Sequence, residues 1–158
     1  MSDQLPTRAI RWSVTCPHAH NSVTYVLAGD SYGVLLGSTR RGERVLLDSW
    51  QDPVFEEVED IVRSLLQRER GFSDCFQAVL GESCDPAPSG EMYDFSGRIY
   101  CPVCGTAANV YGPDDPPQIE TIGLAPATHE GWQQRSTIER WDRIRRSLAR
   151  VGCRATNP

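Results

Sequence analysis

Two Cys-Pro turns constrain the fold of this chain more than any other feature of its sequence. The first lies in WSVTCPHAHNSVTY and the second in GRIYCPVCGTAANVY, so Cys16 and Cys101 are 85 positions apart. Each stretch predicts a strand, a tight turn that begins at Cys-Pro, and a second strand. The two stretches form a weak internal repeat, which predicts that two distant segments share one local structure.

The second turn, Cys101-Pro102-Val103-Cys104-Gly105, resembles the knuckle of zinc-ribbon proteins, in which two cysteines bind one Zn²⁺ from a tight turn. Glycine after the second cysteine suits the positive φ that is common in such turns. The resemblance covers only the two turns and their flanking strands, and it points to no specific family. It implies a split zinc ribbon with a long insertion between its halves.

A structural zinc site needs four ligands, and the resemblance assigns Cys101 and Cys104 as two of them. The first turn supplies Cys16 but departs from the family pattern, because Ala19 stands where the second cysteine is expected. His20 is one position farther on, and an imidazole reaches farther from the backbone than a thiolate. The predicted ligands of a structural Zn²⁺ are Cys16, His20, Cys101 and Cys104, with His18 as the alternative to His20.

Two other interpretations of these cysteines stay open at this point. One is that they are reduced thiols in tight turns that bind nothing. The other is thiol redox chemistry, because YCPVC also resembles the Cys-Pro-x-Cys of glutaredoxins, whose first cysteine begins a helix. The segment GTAANVYGPDDPP that follows Cys104 is rich in glycine, proline and β-branched residues and does not predict that helix. We therefore favour the zinc interpretation.

The other cysteines are interpreted from the cellular setting that the sequence indicates. The N-terminus has no secretory signal pattern, and no run approaches the roughly 18 apolar residues of a membrane helix. All 16 basic residues are arginine, which indicates a GC-rich, bacterial coding sequence. We expect a cytoplasmic protein with reduced thiols. Cys75 and Cys84 are expected to be buried by packing, with a second ligand pair or a disulfide as alternatives, and Cys153 to have no partner.

The pattern of predicted strands and helices indicates an α+β fold with an antiparallel sheet. Short apolar stretches broken by glycine predict four strands in a meander within residues 8–49. Apolar residues recur at helical spacing from Pro53 to about Arg68 and predict one packed amphipathic helix. Ser136 and Glu139 form the capping-box pattern of a C-terminal helix, which Gly152 ends.

The chain of 158 residues is short enough for one folding unit, and changes in composition suggest its divisions. Residues 70–97 show no regular pattern. The segment after the second knuckle is rich in proline and has no clear period. The predicted organisation is a flexible N-terminus (1–7), an α+β domain that carries the knuckles (8–112), a proline-rich arm (113–131) and an arginine-rich C-terminal helix (132–158).

The net charge of −5 is distributed unevenly and suggests two partner surfaces. The C-terminal helix is expected to dock through an apolar stripe of Ile138, Trp141, Ile144, Leu148 and Val151. Arginines on its opposite side are then exposed, and an acidic face lies on the first helix. The predicted partner-binding residues are Arg143, Arg146, Arg150, Glu56, Glu57 and Asp60.

The segment GDSYG, Gly29 to Gly33, fits the G-x-S-x-G pattern of hydrolase elbows, and Asp114 or Asp115 followed by His129 matches the chain order of hydrolase triads. The strand-like residues after GDSYG are not the helix that an elbow needs, so a hairpin turn through Asp30 and Ser31 is the better interpretation. We expect a non-enzymatic structural-zinc protein that binds another protein, as an accessory subunit, adaptor or immunity-type protein. Nucleic-acid binding through the C-terminal helix is the alternative, followed by CxxC redox chemistry.

Overall fold

In a computed structural model, the chain forms a mostly antiparallel, nearly barrel-like sheet with helices packed beside it, which confirms the expected α+β class. The structure describes residues 3–29, 33–67 and 70–154. The strands are β1 (Leu5–Thr15), β2 (Asn21–Leu27), β3 (Val34–Ser38), β4 (Arg44–Asp48), β5 (Val110–Pro113) and β6 (Ile119–Pro126). The α-helices are α1 (Pro53–Leu66), α2 (Phe72–Leu80), α3 (Glu130–Gln133) and α4 (Thr137–Arg150), and a 3-10 turn spans Gly81–Ser83.

The four strands predicted within residues 8–49 are confirmed, but their arrangement as a meander is wrong. The strand order is β2-β1-β6-β4-β3, so β6 separates the β1–β2 hairpin from the β3–β4 hairpin. β1 has 11 residues, and one of its edges pairs with β6 along the first half and with β5 along the second half. The length of β1 therefore brings two late segments of the chain into the sheet.

The segment 113–131, expected to be a proline-rich arm, contains β6, which pairs with β1 and with β4. Its prolines stand before the strand and at its last position, where a missing N–H group does not interrupt the pairing. Within the strand, burial alternates along the chain. Glu120 and Ile122 are half-buried and Leu124 is buried, whereas Ile119, Thr121 and Gly123 are exposed. This period of two is a strand signal that the expectation of an irregular arm missed.

The N-terminal segment 1–7, expected to be flexible, also contributes to the sheet. β1 begins at Leu5, which pairs with Leu124 of β6. Pairing with a neighbouring strand satisfies backbone hydrogen-bonding groups that a free segment would expose to water. The proposed boundaries between domains stay a prediction.

α1 confirms the helix that was predicted to begin at Pro53. Asp52 caps it by accepting a hydrogen bond from the Val54 N–H at 2.9 Å. The helix ends at Leu66, and the predicted end at Arg68 lies outside the described residues. Its buried residues are the ones that the helical spacing predicts, Val54, Val58, Ile61, Val62, Leu65 and Leu66.

Residues 70–97, for which no regular pattern was recognised, contain the nine-residue helix α2. Its buried side chains are Cys75, Phe76, Val79 and Leu80, which recur at helical spacing. A helix this short shows only one full repeat of that spacing, so its sequence pattern is weak. Packing against α1 and α4 stabilises it.

One hydrophobic core joins the helices to the inner side chains of β4. Its fully buried members include Val58, Leu66, Leu80, Ile144 and Leu148. The two Cys-Pro turns lie outside this core, although Cys16 and Cys101 are themselves buried. Among the residues that the structure describes, none of the helices combines the length and the apolar character that crossing a membrane demands.

α4 begins with the predicted capping box. Ser136 Oγ accepts a hydrogen bond from the Glu139 N–H at 3.3 Å, and the Glu139 carboxylate accepts one from the Ser136 N–H at 2.7 Å. Only the middle of the expected apolar stripe docks, because Ile144 and Leu148 are buried whereas Ile138 is 75% exposed. The first turn of α4 therefore presents an apolar side chain to solvent.

Cys75 and Cys153 form a disulfide that connects α2 to the end of the chain after α4. The expectations that the six cysteines are all reduced and that Cys153 has no partner are wrong. The two residues are 78 positions apart, and they meet only because α4 packs beside α2. Cys84 is a buried free thiol, as expected from packing.

Candidate metal centre

The first Cys-Pro turn joins β1 directly to β2. Thr15, the last residue of β1, pairs with Asn21, the first residue of β2, so only five residues make the turn. The Cys16 N–H donates to the His20 carbonyl at 3.3 Å, and the Ala19 N–H donates to the Cys16 carbonyl at 2.9 Å. Ala19 has a φ of 62°, in the left-handed region that favours glycine. The turn therefore holds Ala19 in a conformation that lets the chain reverse and brings His20 back toward Cys16.

The second turn has the same pattern of backbone hydrogen bonds around its first cysteine, with one more residue in the turn. The Cys101 N–H donates to the Thr106 carbonyl at 2.8 Å, and the Gly105 N–H donates to the Cys101 carbonyl at 2.7 Å. Gly105 has a φ of 71°, which confirms the positive φ expected from its place after the second cysteine. By the position of the left-handed residue, Ala19 of the first turn corresponds to Gly105 and not to Cys104.

The sheet brings the two turns to the same end of β1. β5 pairs with β1 so that Val110 stands opposite Thr15, the residue just before Cys16. The Asn109 N–H donates to the Thr15 carbonyl at 3.3 Å and extends this contact toward the second turn. The register of β1 with both β2 and β5 therefore determines that the two turns meet.

Four predicted ligands come together where the turns meet. The ligand atoms of Cys16, His20, Cys101 and Cys104 all lie within 4.8 Å of one another. Cys16 Sγ lies 3.7 Å from Cys104 Sγ and 3.4 Å from His20 Nδ1. Cys16 and Cys101 are buried, His20 is half-buried and Cys104 is exposed. This Cys3His cluster is an arrangement that can hold a metal ion, with one side open to solvent.

His18, the alternative to His20, lies at the solvent side of the cluster. Its Nδ1 is 3.6 Å from Cys104 Sγ, and its ring centroid is 6.3 Å from that of His20. The compact group of four ligand atoms contains His20 and not His18. Both histidines therefore contact a thiol of the cluster, His20 that of Cys16 and His18 that of Cys104.

The electrostatics of the cluster favour a thiolate at Cys104. Hydrogen bonds from the side chain and backbone of Thr106, followed by one from His18, lower the pKa of Cys104 to about 5. Burial raises the pKa of Cys16, and the neighbouring thiols Cys104 and Cys101 raise it further. The thiolate is the form that binds metals, so Cys104 is ready to do so at neutral pH. Sequence reasoning missed Thr106, although a hydroxyl residue two positions after the cysteine was visible.

The predicted partner-binding residues are dispersed, and several bind other parts of the protein. Arg143 Nε lies 2.9 Å from the Glu82 carboxylate, and Arg150 Nη2 lies 2.9 Å from its other oxygen. Glu57 of α1 accepts hydrogen bonds from the Trp132 indole at 2.9 Å and from Arg140 at 2.8 Å. These pairs hold α4 against the 3-10 turn and hold α3 and α4 against α1. The exposed members of the predicted set are Arg146, Arg150, Glu56 and Asp60, and of these Arg150 also pairs with Glu82.

The residues of the hydrolase interpretation do not assemble among the described residues. Asp30 and Ser31, predicted to form a hairpin turn, lie outside the described residues. Asp114 binds Arg11 and Ser13, at 3.1 and 2.8 Å. His129 is buried elsewhere, with its ring nitrogens 2.7 Å from the Ser83 carbonyl and 2.6 Å from Asp52, the cap of α1. The described contacts of His129 are thus those of a residue that joins three elements of the fold.

Comparisons with known proteins leave the geometry of the cluster as the main guide to function. No protein-family model, curated protein or solved structure matches this chain. The zinc-ribbon resemblance therefore rests on the two turns and on the four ligand atoms that the sheet brings together. The function has to be inferred from the chemistry of those residues.

Proposed function

We propose that this is a non-enzymatic protein that holds a structural Zn²⁺ through Cys16, His20, Cys101 and Cys104 and acts by binding another protein. The observation that carries the proposal is the approach of four ligand atoms to within 4.8 Å of one another from two distant turns. Three thiols and one imidazole form a donor set that is common in structural zinc sites. A cytoplasmic, bacterial setting is the part of this proposal that rests on sequence alone.

The spacing of the ligand atoms supports zinc as the metal. With Zn–S bonds of about 2.3 Å and Zn–N bonds of about 2.0–2.1 Å, a tetrahedral site places two sulfurs about 3.8 Å apart and a sulfur and a nitrogen about 3.6 Å apart. The two separations in the cluster are 3.7 Å between Cys16 and Cys104 and 3.4 Å between Cys16 and His20. The other pairs lie within 4.8 Å, so shifts of at most about 1 Å would bring all four atoms to the spacing of a tetrahedral zinc site.

The number of protein ligands supports a structural role over a catalytic one. A catalytic zinc keeps one coordination position for water or substrate, whereas a structural zinc takes all four ligands from the protein. All four positions are accounted for by the residues of the cluster. The metal would join the β1–β2 turn to the segment before β5, and its binding free energy would contribute to folding.

The surface beside the metal centre supports a protein partner. Val103, Val110 and Tyr111 are between 51% and 63% exposed, although they are apolar or aromatic. β5 pairs with β1 on one edge, and no other strand of the described residues pairs with it. An open strand edge beside exposed apolar side chains is a surface to which a partner strand can add.

The nucleic-acid alternative is supported less well. Phosphate binding needs free cations, and Arg143 and Arg150 share one carboxylate, that of Glu82, which offsets half of their charge. The protein as a whole carries a net charge of −5, which repels a nucleic acid. Protein binding therefore remains the better proposal for α4 and for the strand edge.

A second candidate function, thiol redox chemistry, is favoured by one observation. Cys104 is exposed, and hydrogen bonds from Thr106 and His18 lower its pKa to about 5, a value that makes a reactive thiolate. The same thiolate would be bound and protected if the cluster holds zinc. The rate at which Cys104 reacts with an alkylating reagent, with and without a chelator, distinguishes the two candidates.

The test of the zinc centre is metal analysis of the purified protein and of matched variants. We expect one Zn²⁺ per chain in the wild type and a loss of bound zinc in Cys101→Ser and His20→Ala. Cys84→Ser is the control, because burial raises the pKa of this thiol to about 12 and it lies outside the cluster. Wild-type protein that folds without metal and melts at the same temperature with and without a chelator would contradict the proposal.

The partner surface is tested with Tyr111→Ser and Val110→Asp as affinity baits beside the wild type. We expect a partner that the wild type captures to be lost from both variants, while their zinc content stays the same. The nucleic-acid alternative is tested with a triple variant in which Gln replaces Arg143, Arg146 and Arg150. Weaker DNA binding by this variant, with a smaller salt dependence, would favour nucleic-acid binding by α4. An identical set of captured proteins for bait and variants would contradict binding at β5.

A further inference from the structure

A cavity of about 320 Å³ lies between the two end strands of the sheet. β2 and β3 stand at opposite ends of the strand order, yet residues 23–27 of β2 and 34–36 of β3 line the same cavity. The segment 94–100 lines it as well, and is tied to β3 where Ser38 and Asp94 exchange backbone hydrogen bonds at 3.0 and 2.9 Å. The cavity is therefore the gap that a fully closed barrel would have filled with another strand.

Arg44 lines this cavity and forms no ion pair with a carboxylate of the residues that the structure describes. Arg44 of β4 places its guanidinium carbon 5.2 Å above the Tyr25 ring, and its Nε donates to the Gly42 carbonyl at 3.4 Å. Its Nη1 is buried and has no hydrogen-bond partner within the part of the chain that the structure describes. A buried donor of a charged group that lacks an acceptor costs free energy, and an acceptor supplied by a ligand removes that cost once a small rotation of the side chain turns Nη1 into the cavity.

The nearby carboxylates are occupied by other donors. Asp94 accepts hydrogen bonds from the Tyr100 hydroxyl at 2.6 Å and from the Ser96 N–H at 2.7 Å. Glu120 accepts one from the Tyr25 hydroxyl at 2.9 Å. Among the lining residues, Arg44 and Arg98 outnumber Asp94, and Glu120 adds a negative charge beside Tyr25. Because both carboxylates already accept hydrogen bonds from other donors, the guanidinium of Arg44 is the group that favours an anionic ligand.

The remaining wall is apolar and aromatic. The Phe95 ring, 4% exposed, packs so closely on Gly37 that a Cβ added there would lie 2.6 Å from its Cζ. Val23, Val34 and Leu36 supply aliphatic surface. The volume lies at the lower end of the roughly 300–1,000 Å³ of ligand pockets, which suits a small molecule and not a folded partner.

We infer that this cavity binds a small organic carboxylate with an aromatic or branched apolar body, whose carboxylate accepts hydrogen bonds from Arg44. The arginine fixes the charged end, and Phe95 with the aliphatic side chains of β2 and β3 surrounds the apolar end. This site is separate from the zinc centre and uses none of its ligands. Its existence does not depend on the proposed protein partner.

The test is a titration of the full-length protein with phenylacetate, followed by the chemical shifts of the backbone amides. We expect saturable binding, with the largest shifts in β2 and β3, and binding at least tenfold weaker for the uncharged phenylacetamide. Arg44→Gln should weaken phenylacetate binding about tenfold or more, since it removes a charge-assisted hydrogen bond. Arg41→Gln is the matched control, because Arg41 is exposed and pairs with Glu91 outside the cavity, and it should bind as the wild type does.

Several results would overturn the inference. One is equal affinity of wild type and Arg44→Gln, and another is equal affinity for the acid and its amide. A third is the absence of saturable binding with phenylacetate, benzoate and isovalerate, even if an extended peptide binds between β2 and β3. Should Arg44→Gln fail to fold, the wild-type titration decides: shifts confined to residues outside the cavity lining contradict the site, and shifts on its lining that require the carboxylate support it.

Discussion

The helical half of this protein and the end of its sheet that carries the two Cys-Pro turns are stabilised by different means. The helical half has a hydrophobic core that includes fully buried residues from α1, α2 and α4, together with the Cys75–Cys153 disulfide. At the turn end, the buried side chains of Cys16 and Cys101 belong to no such core. Hydrophobic burial therefore accounts for the first region, and the proposed metal accounts for the second.

The comparison gives a physical reason for the position of the proposed metal centre. A hydrophobic core needs several elements that cover one another, which the helices provide and two short turns cannot. Four ligands at one point can hold two turns with few residues. Substitutions in the two regions should consequently affect stability and metal content in different combinations.

The largest effect is expected at the turn end, from Cys101→Ser. The change removes a buried ligand and with it the zinc, which contributes about 4 kcal/mol when the metal is a thousandfold above its dissociation constant. Thermal unfolding with metal analysis measures both quantities. Cys84→Ser should retain the zinc, and a Cys101→Ser protein that retains metal and stability would contradict the separate roles of the two regions.

In the helical half, Leu66→Ala should destabilise the fold by about 3 kcal/mol, because it leaves a cavity in the core where the fully buried leucine side chain was. Denaturant unfolding gives the change in free energy. Leu5→Ala, at a side chain that is 46% exposed, is the control and should cost far less. The folded Leu66→Ala protein should still bind one zinc, and loss of the metal in the folded state would show that the regions are not independent.

Cys153→Ser removes the disulfide and should cost about 2–4 kcal/mol, since the cross-link closes a long loop and restricts the unfolded chain. The same loss should follow when a mild reductant is added to the wild type. Zinc content should not change, because neither Cys75 nor Cys153 belongs to the cluster. Equal stability of oxidised and reduced wild type would remove the disulfide from the account of the helical half.

The smallest effect is a pH dependence at Asp85, which holds the start of α3. Burial raises the pKa of Asp85, but hydrogen bonds from Thr128, Gly131 and Glu130 outweigh burial and lower the pKa overall. Its stabilisation is thus fully present above the unfolded pKa of about 3.9 and is lost as the pH falls through the folded pKa. Asp85→Asn should cost about 1 kcal/mol at neutral pH and flatten the stability curve below pH 4. A curve that falls as steeply as that of the wild type would contradict this role.

Features with a local physical cause could be predicted from the sequence. The spacing of apolar residues predicts α1, and the Ser136–Glu139 pattern predicts the start of α4, because both depend on neighbours within one or two turns. The four early strands follow from alternation and glycine breaks. The meander was wrong because strand order depends on which distant segment covers β1, and no local pattern contains that choice.

The candidate site was predictable only where its residue types are distinctive. Cysteine and histidine beside proline mark the two turns, so Cys16, His20, Cys101 and Cys104 were named from the sequence. Their approach depends on the pairing of β5 with β1. Arg44 gave no signal, because the burial of its Nη1 without an acceptor among the described residues arises only once β2 and β3 face each other across the cavity. The Cys75–Cys153 disulfide was missed for a similar reason.

The central claim, a structural zinc held by both turns, is tested most directly by X-ray absorption at the zinc edge of the purified protein. We predict one Zn²⁺ per chain with about three sulfurs at about 2.3 Å and one nitrogen at about 2.0–2.1 Å; His18→Ala should keep this environment, whereas His20→Ala should lose the zinc. Protein without zinc, or zinc surrounded mainly by oxygen, would contradict the account.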